Sequence, residues 1–189
     1  MNNLALFASG SGTNVQNIIE YFKQNALINI QCILSNREDA YVLERAKKFN
    51  IRYFTFNRYE FYNSNRVADY LTSNKVNFIV LAGFLWLIPD NLIQLYPGRI
   101  INIHPALLPK YGGKGMYGMK VHEAVIANKE KESGITIHHV NERYDEGNII
   151  FQAKCKVDLS DTPESLASKI HKLEYENYPK IIEQLVATL

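Results

Sequence analysis

Two side chains that could stabilise and protonate a reacting group lie two residues apart near the middle of the chain. Asn102 and His104 belong to the segment Ile101-Asn102-Ile103-His104-Pro105. Alternate residues of a strand face the same side, so both side chains would point into one space. Pro105 has no N–H and would end the strand there. An amide donor and a titratable ring at this end of a strand suit a ligand site, although both could equally be hydrogen-bonded without a function.

A loop rich in glycine and hydroxyl groups, residues 9–14, follows the first predicted strand. We call this Ser-Gly-Ser-Gly-Thr-Asn segment the anion loop. Its glycines would let backbone N–H groups approach an anion, and the following helix N-terminus adds positive potential. The third glycine of a dinucleotide site and the Gly-Lys-Ser/Thr of a Walker motif are both missing. The loop therefore predicts a phosphate site, and the alternative is a tight turn capped by Thr13 or Asn14.

Two further segments gain interest from what they could contribute to this site. Taken alone, Asp145 is most simply a turn residue between two late strands. If it lies a few ångströms from His104, its charge should raise the imidazole pKa above about 6.5 and favour proton donation near neutral pH. His138 and His139 would face opposite sides of a strand, so no metal site is expected from them.

The apolar run 83–88 and the glycine-rich stretch 110–120 both fall where loops are expected. The first could be core packing or a wall for a flat, partly apolar ligand. The second, which we call the lid, resembles a mobile loop that could close over a substrate and exclude water.

Short apolar runs alternate with helical patterns along the chain. The predicted strands cover residues 4–8, 30–34, 52–56, 78–82, 100–103, 135–140 and 148–157. The predicted helices cover residues 15–22, 40–49, 61–73, 90–95 and 121–128, and a last one starts at Asp161 or Thr162 and is kinked or restarted by Pro179. This order predicts an α/β fold with a doubly wound, mainly parallel sheet flanked by helices, in a single domain covering residues 1–189.

Composition restricts the class of protein. The chain has 189 residues, 47% of them hydrophobic, and a net charge of +2 without a long run of one sign. This balance gives no support to a nucleic-acid or membrane-surface partner, and no stretch approaches the ~20 apolar residues of a membrane span. The N-terminus does not resemble a signal peptide, so a cytoplasmic protein is expected. Cys32 and Cys155 match no metal or redox spacing.

Together these segments resemble the glycinamide ribonucleotide branch of the folate-dependent formyltransferase family. The match includes the anion loop, Ser35-Asn36, residues 43–46 and 81–84, the Asn-Ile-His-Pro-x-Leu-Leu-Pro segment at 102–109, Tyr144-Asp145, and Glu174 followed by Tyr178-Pro179. The 102–109 segment is specific to formyltransferases and related hydrolases. The Gly-Ser-Gly-Thr-Asn loop narrows the resemblance to the nucleotide-using branch.

The resemblance implies the reaction and the residues of its active site. Asn102, His104 and Asp145 match the catalytic trio, and the amine of phosphoribosylglycinamide would attack 10-formyltetrahydrofolate, the co-substrate, directly. The ribonucleotide would contact Gly12, Thr13, Asn14, His171, Lys172, Leu173 and Glu174, with the phosphate on the first three and the glycyl amine held by Glu174. The folate would contact Arg66, Leu85, Trp86, Leu87, Ile88, Asn102, Asn141, Glu142, Arg143, Tyr144 and Asp145. Partners would be these small molecules, and the protein would be a monomer or homodimer.

Two other kinds of function remain as alternatives: another enzyme that acts on a formyl group, and a non-catalytic binding module. Methionyl-tRNA formyltransferase shares the Asn-x-His chemistry but needs more chain and a basic surface, which a net charge of +2 does not favour. Formyltetrahydrofolate hydrolase usually carries an additional regulatory domain. A non-catalytic nucleotide-binding module would keep the anion loop without needing Asn102, His104 and Asp145 together.

Overall fold

A single seven-stranded sheet forms the centre of the molecule, described here from a computed structural model of residues 1–189. Its strands are β1 (Asn2–Phe7), β2 (Ile28–Ser35), β3 (Tyr53–Thr55), β4 (Phe78–Leu81), β5 (Ile100–His104), β6 (Glu132–His139) and β7 (Ile149–Lys156). They lie in the order β3-β2-β1-β4-β5-β6-β7. The first five pair in parallel, and β6 and β7 add antiparallel pairs at one edge. The predicted doubly wound, mainly parallel sheet is confirmed.

Helices cover both faces of this sheet. They are α1 (Thr13–Phe22), α2 (Val42–Lys48), α3 (Arg58–Tyr62), α4 (Arg66–Ser73), α5 (Asp90–Leu95), α6 (Met119–Ala127) and α7 (Pro163–Val186). Leu4 and Leu6 of β1 pack into the apolar cluster beneath α1, α2, α6 and α7, whereas Ala5 and Phe7 pack into the cluster beneath α3, α4 and α5. Residues 4–7 of β1 are therefore all buried. Burial on both faces of the sheet explains why these residues are continuously hydrophobic rather than alternating with polar ones. No helix combines the length and the apolar character needed to cross a membrane.

Two helix predictions need correction. The helix predicted over residues 61–73 is in fact α3 and α4, separated at Asn63–Asn65. Asn57 and Glu60 form a capping box that starts α3 early, and the Ser64 hydroxyl donates to the Glu60 carbonyl at 2.9 Å. Such short polar side chains compete for backbone groups and interrupt helices. The last helix does not restart at Pro179: it continues through this residue as one element, and Thr162 caps its N-terminus.

The strand order places a crevice above the middle of the sheet. β1 pairs with β2 on one side and β4 on the other, so the connections leave in opposite directions at this point. Ligands of open α/β sheets bind outside the carboxyl ends of strands at such a switch point. The anion loop follows β1, and the Ser9 N–H donates to the Gly83 carbonyl after β4 at 3.0 Å. His104 ends the next strand, β5.

Candidate active site

A cavity of about 640 Å³ opens above the carboxyl ends of β1, β4 and β5. Its wall includes the anion loop on one side and the lid residues 113–118 on another. Asn102, His104 and Asp145 line it together with His171 and Glu174 of α7. The fold thus brings together, in one cavity, the anion loop and the polar residues that were predicted from the sequence to form a site.

The anion loop is held in a shape that leaves N–H groups free. Gly12 precedes α1 with φ of +70°, a left-handed conformation that favours glycine. A Cβ atom there would lie 2.4 Å from Cγ2 of Val42, so the close packing against α2 also requires glycine. The N–H groups of residues 13–15 precede the first hydrogen bond of α1, which runs from Gln16 to the Gly12 carbonyl at 2.9 Å. These free donors can bind an anion.

Polar contacts brace the same loop from behind. The buried Ser9 hydroxyl donates to Oδ1 of Asn36 at 2.6 Å and accepts the Leu85 N–H at 3.0 Å. Nε of Arg45 donates to the Ser11 carbonyl at 2.7 Å. The loop is therefore tied to the segments after β2 and β4 and to α2, which pre-forms the site.

Asn102, His104 and Asp145 meet as predicted, and His138 of β6 joins them. Nδ1 of His104 lies 3.5 Å from Oδ2 of Asp145, and Nε2 of His138 lies 3.6 Å from Oδ1 of the same carboxylate. The Asn102 amide Nδ2 donates to Nε2 of His138 at 3.1 Å. The antiparallel pairing of β5 with β6 explains this contact, because it places Asn102 directly opposite His138.

Backbone carbonyls determine which nitrogen of each imidazole carries a proton. A carbonyl only accepts, so Nε2 of His104 donates to the Tyr111 carbonyl at 2.7 Å and Nδ1 of His138 donates to the His139 carbonyl at 2.9 Å. Neutral His138 then accepts from Asn102 through Nε2, which fixes the orientation of the amide. Nδ1 of His104 lies 3.5 Å from Oδ2 of Asp145 and makes no hydrogen bond within the protein.

Burial changes the expected protonation of His104. The expectation that its pKa would rise above the usual value is wrong, because desolvation lowers the pKa of His104 and outweighs the nearby Asp145 charge and the Tyr111 hydrogen bond, both of which raise it. Burial raises the pKa of Asp145, but the neighbouring His138 and His104 rings, when protonated, and the Gly113 N–H outweigh this and bring the pKa below its usual range. The carboxylate therefore stays charged while the imidazole tends toward the neutral form.

Glu174 forms a second polar centre at the α7 side of the cavity. Its side chain is buried, and Oε2 accepts from Nδ2 of Asn14 at 2.9 Å and from Nδ1 of His171 at 2.8 Å. The hydrogen bond to Glu174 raises the pKa of His171 above its usual value. No group of three His, Cys, Asp or Glu side chains is placed to hold a metal ion.

Comparison with known proteins identifies the family. Residues 2–182 match the family model described as formyl transferase. The chain belongs to this formyl transferase family.

Individual relatives agree with this assignment. A phosphoribosylglycinamide formyltransferase of Bacillus subtilis is 38% identical over 98% of this chain and 95% of its own length. A chloroplastic phosphoribosylglycinamide formyltransferase of Arabidopsis thaliana is 40% identical over 95% of the chain, which spans only 63% of that longer protein. The solved structure of glycinamide ribonucleotide transformylase 1 from Symbiobacterium toebii superposes with a TM-score of 0.90 at 31% identity, covering 100% of this chain and 89% of that one.

The cavity of this formyl transferase family member includes many, but not all, of the predicted site residues. It is lined by Gly12, Thr13, Asn14, Leu85, Asn102, His104, Tyr144, Asp145, His171 and Glu174. The predicted residues outside the lining are Arg66, Trp86, Leu87, Ile88, Asn141, Glu142, Arg143, Lys172 and Leu173.

The residues outside the lining have other contacts. Ile88 is buried in the apolar cluster, and Trp86 packs among aromatic rings that include Phe61. Leu87 contributes its backbone, because its N–H donates to the Tyr144 hydroxyl at 3.1 Å. Arg66 lies over the Phe54 ring and pairs with Glu60. The 85–88 segment is therefore largely core packing, with Leu85 as its cavity-facing member.

Three polar groups of the site were missed in the sequence analysis. His138 was considered only as a metal ligand. The alternation of side chains along the strand had already predicted that His138 and His139 face opposite sides of the sheet. The Tyr111 carbonyl could not be found from residue types, because a backbone group carries no sequence pattern. His122 of α6 lines the cavity, is only 3% exposed, and has a buried Nδ1 without a hydrogen-bond partner. Burial lowers the pKa of His122, which favours its neutral form.

Proposed function

We propose that the chain transfers the formyl group of 10-formyltetrahydrofolate to the amine of phosphoribosylglycinamide, a step of purine biosynthesis. The observation that carries this proposal is the single cavity shared by the anion loop and by Asn102, His104 and Asp145. A site for a phosphorylated acceptor beside donors for a carbonyl oxygen fits a formyl transfer between two small molecules. Relatives that match the chain over most of its length bear the name of this activity.

The acceptor would bind between the anion loop and α7. The free N–H groups of residues 13–15 suit its 5′-phosphate, and the buried Glu174 carboxylate suits its amine. Asn14 supports both ends of this placement, because its backbone belongs to the loop and its side chain donates to Glu174. The pterin and its formyl group would then approach from the side of Leu85 and Tyr144.

The reaction would proceed by direct attack of the neutral amine on the formyl carbon. Asn102 donates one N–H to His138, so its second amide N–H is available to the oxygen that becomes negative as the new C–N bond forms. Protonated His104 would donate from Nδ1 to the same oxygen. Preorganised donors of this kind are worth ~2.7–4 kcal/mol each at the transition state.

Asp145 would support the charged imidazole and assist the proton transfer that completes the reaction. Its carboxylate lies 3.5 Å from Nδ1 of His104 and stabilises the imidazolium. The attacking nitrogen loses one proton, and N10 of the folate gains one as the C–N10 bond breaks and the formyl C=O reforms. Asp145 can pass this proton between the two nitrogens, through water where they are too far apart for direct transfer.

One assay tests this function against its alternatives. The protein is incubated with 10-formyltetrahydrofolate, with and without phosphoribosylglycinamide, and release of the formyl group is followed by the folate absorbance. Formyl loss only in the presence of the ribonucleotide supports the proposal. Loss without it would indicate a hydrolase, and no loss in either case would favour a nucleotide-binding module.

A further inference from the structure

The lid contributes a backbone carbonyl to the catalytic histidine, and this contact carries an inference that rests on the proposed function. Tyr111 accepts the Nε2 hydrogen of His104 at 2.7 Å, the shortest polar contact made by that ring. Two residues later, the Gly113 N–H donates to Oδ2 of Asp145 at 2.9 Å. One short stretch of the lid therefore holds both members of the His104–Asp145 pair.

Tyr111, which makes the contact with His104, has an unusual backbone conformation. Its φ is +58°, in the left-handed region that residues other than glycine seldom occupy. A bulky residue in this region costs about 1–2 kcal/mol, so other contacts must hold it there. Strain of this kind concentrates at functional sites.

The Tyr111 side chain supplies these contacts. Its hydroxyl accepts from Nδ2 of Asn128 at 3.0 Å and donates to Oε1 of Glu130 at 3.0 Å, just beyond the end of α6. Lys110 also donates to Oε1 of Glu130, at 2.9 Å. The phenol ring packs against the main apolar cluster. The hydroxyl is thus fixed to the protein body on the side of the residue away from His104.

We propose that Tyr111 is a positioning residue for the formyl transfer: its hydroxyl, anchored by Asn128 and Glu130, holds its carbonyl on Nε2 of His104 and so makes Nδ1 the nitrogen that meets the substrate. Without this anchor the carbonyl moves with the lid. Neutral His104 can then place its proton on either nitrogen, and Nδ1 loses its fixed direction toward the cavity. Asp145 alone does not prevent this, because it lies 3.5 Å away.

The Tyr111→Phe variant tests this inference, because it keeps the ring and removes only the hydroxyl. We expect kcat to fall roughly 3- to 10-fold. This is the worth of about one neutral hydrogen bond, here the one from Nε2 of His104 to the Tyr111 carbonyl. The KM values for both substrates should change little. In ligand-free protein, ¹⁵N NMR of the His104 ring should show the Nε2–H tautomer in the wild type and a mixture in the variant.

The pH dependence supplies a second readout that a merely structural role would not move. The charged and titratable groups that influence His104 are Asp145, His138, Glu174 and His122, and none of them is changed in Tyr111→Phe. The Tyr111 hydrogen bond raises the pKa of His104, so loosening it should shift the NMR titration of this ring to lower pH. The alkaline limb of the kcat profile should follow in the same direction.

Matched variants separate this effect from a general loss of stability. Tyr21→Phe removes a hydrogen bond of the same kind, to Glu183 at 2.9 Å, and neither residue lines the cavity, so kcat and the His104 tautomer should be unchanged. Glu130→Gln keeps an oxygen that can accept from the Tyr111 hydroxyl, whereas Glu130→Ala does not. We therefore expect Glu130→Gln to behave like the wild type and Glu130→Ala to resemble Tyr111→Phe.

The outcomes divide clearly. A Tyr111→Phe protein with the wild-type tautomer, titration and kcat would overturn the inference. So would a lower kcat with an unchanged His104 tautomer, because the hydroxyl would then act on the lid alone. If the wild type shows no formyl transfer, the proposed function fails, but the NMR comparison in ligand-free protein still decides whether Tyr111 controls the His104 ring.

Discussion

A single methyl group at Gly12 should weaken binding of the acceptor selectively. The Gly12→Ala substitution adds a Cβ in a left-handed backbone, where it would lie 2.4 Å from Cγ2 and 2.7 Å from Cβ of Val42. Neither distance is tolerable, so the loop or the start of α2 must move. Because the N–H groups of residues 13–15 follow directly, this movement displaces the donors that we assign to the phosphate.

The expected loss of folding stability is the sum of two separate terms, and the loss of affinity is estimated separately. The left-handed conformation costs an alanine about 1–2 kcal/mol, and overpacking against Val42 costs typically ~1–3 kcal/mol. For a protein of this size each kcal/mol lowers Tm by about 2–4 °C. Loss of one hydrogen bond to a charged phosphate costs ~1.5–3 kcal/mol, which corresponds to about a 10- to 150-fold higher Kd for the ribonucleotide.

Isothermal titration with each substrate, together with thermal unfolding, measures these effects. Gly10→Ala is the matched control, because a Cβ there would meet no atom within 4 Å and the change lies in the same loop. The control should retain the wild-type Tm and both affinities. Gly12→Ala should lose affinity for phosphoribosylglycinamide and keep most of its affinity for the folate. Equal loss of both ligands, or behaviour indistinguishable from Gly10→Ala, would refute the assignment of the phosphate to this loop.

Three further predictions concern the reacting groups and the lid. Asp145→Asn keeps the shape of the side chain but removes a charge that opposes the effect of burial on the His104 pKa, so kcat should fall at nearly constant KM and the alkaline limb of activity should move to lower pH. The loss of kcat should be far from additive with that of His104→Ala. An unchanged kcat and pH profile would make Asp145 an ordinary turn residue. Glu174→Gln should raise the KM for the ribonucleotide much more than the KM for the folate. NMR should also show a lower His171 pKa, because the carboxylate that raises this pKa is gone. Equal changes in both KM values would contradict a role of Glu174 in holding the amine. Hydrogen exchange of the lid should slow most when both substrates are bound, and equal exchange with and without them would exclude substrate-dependent closure.

The parts of the fold that sequence predicted well are those in which local pattern and final environment agree. The parallel strands are continuous apolar runs, and burial on both faces requires that composition. The break between α3 and α4 was missed because an apolar periodicity extends across Asn63–Asn65, while the interruption depends on side-chain hydrogen bonds such as that from Ser64 to the Glu60 carbonyl. The restart predicted at Pro179 does not occur, and Tyr178, Ile181 and Ile182 of the continuous helix α7 pack into the main apolar cluster.

For the site, too, prediction succeeded where residue type and spacing carry the information and failed where tertiary contacts do. Asn102, His104, Asp145 and the anion loop have residue types and spacing that suggest chemistry, and the structure brings them to one cavity. The contacts of His138 and Tyr111 with the site come from strand pairing and from a backbone carbonyl, which spacing along the chain does not reveal. Arg66 matched a family position only by type, and its contacts with Phe54 and Glu60 lie outside the cavity lining.

The lowered pKa of His104 is consistent with the proton-donating role that we propose for this residue, once the charges that arise during the reaction are included. In the empty cavity, burial disfavours the imidazolium more than Asp145 favours it. When the amine attacks, negative charge develops on the formyl oxygen close to Nδ1, and a second anion beside a buried imidazole stabilises its charged form. His104 would therefore bind its proton most strongly at the stage when a donor is needed. A donor of this kind is stabilised more in the transition state than in the ground state, which is the condition for an interaction to increase kcat.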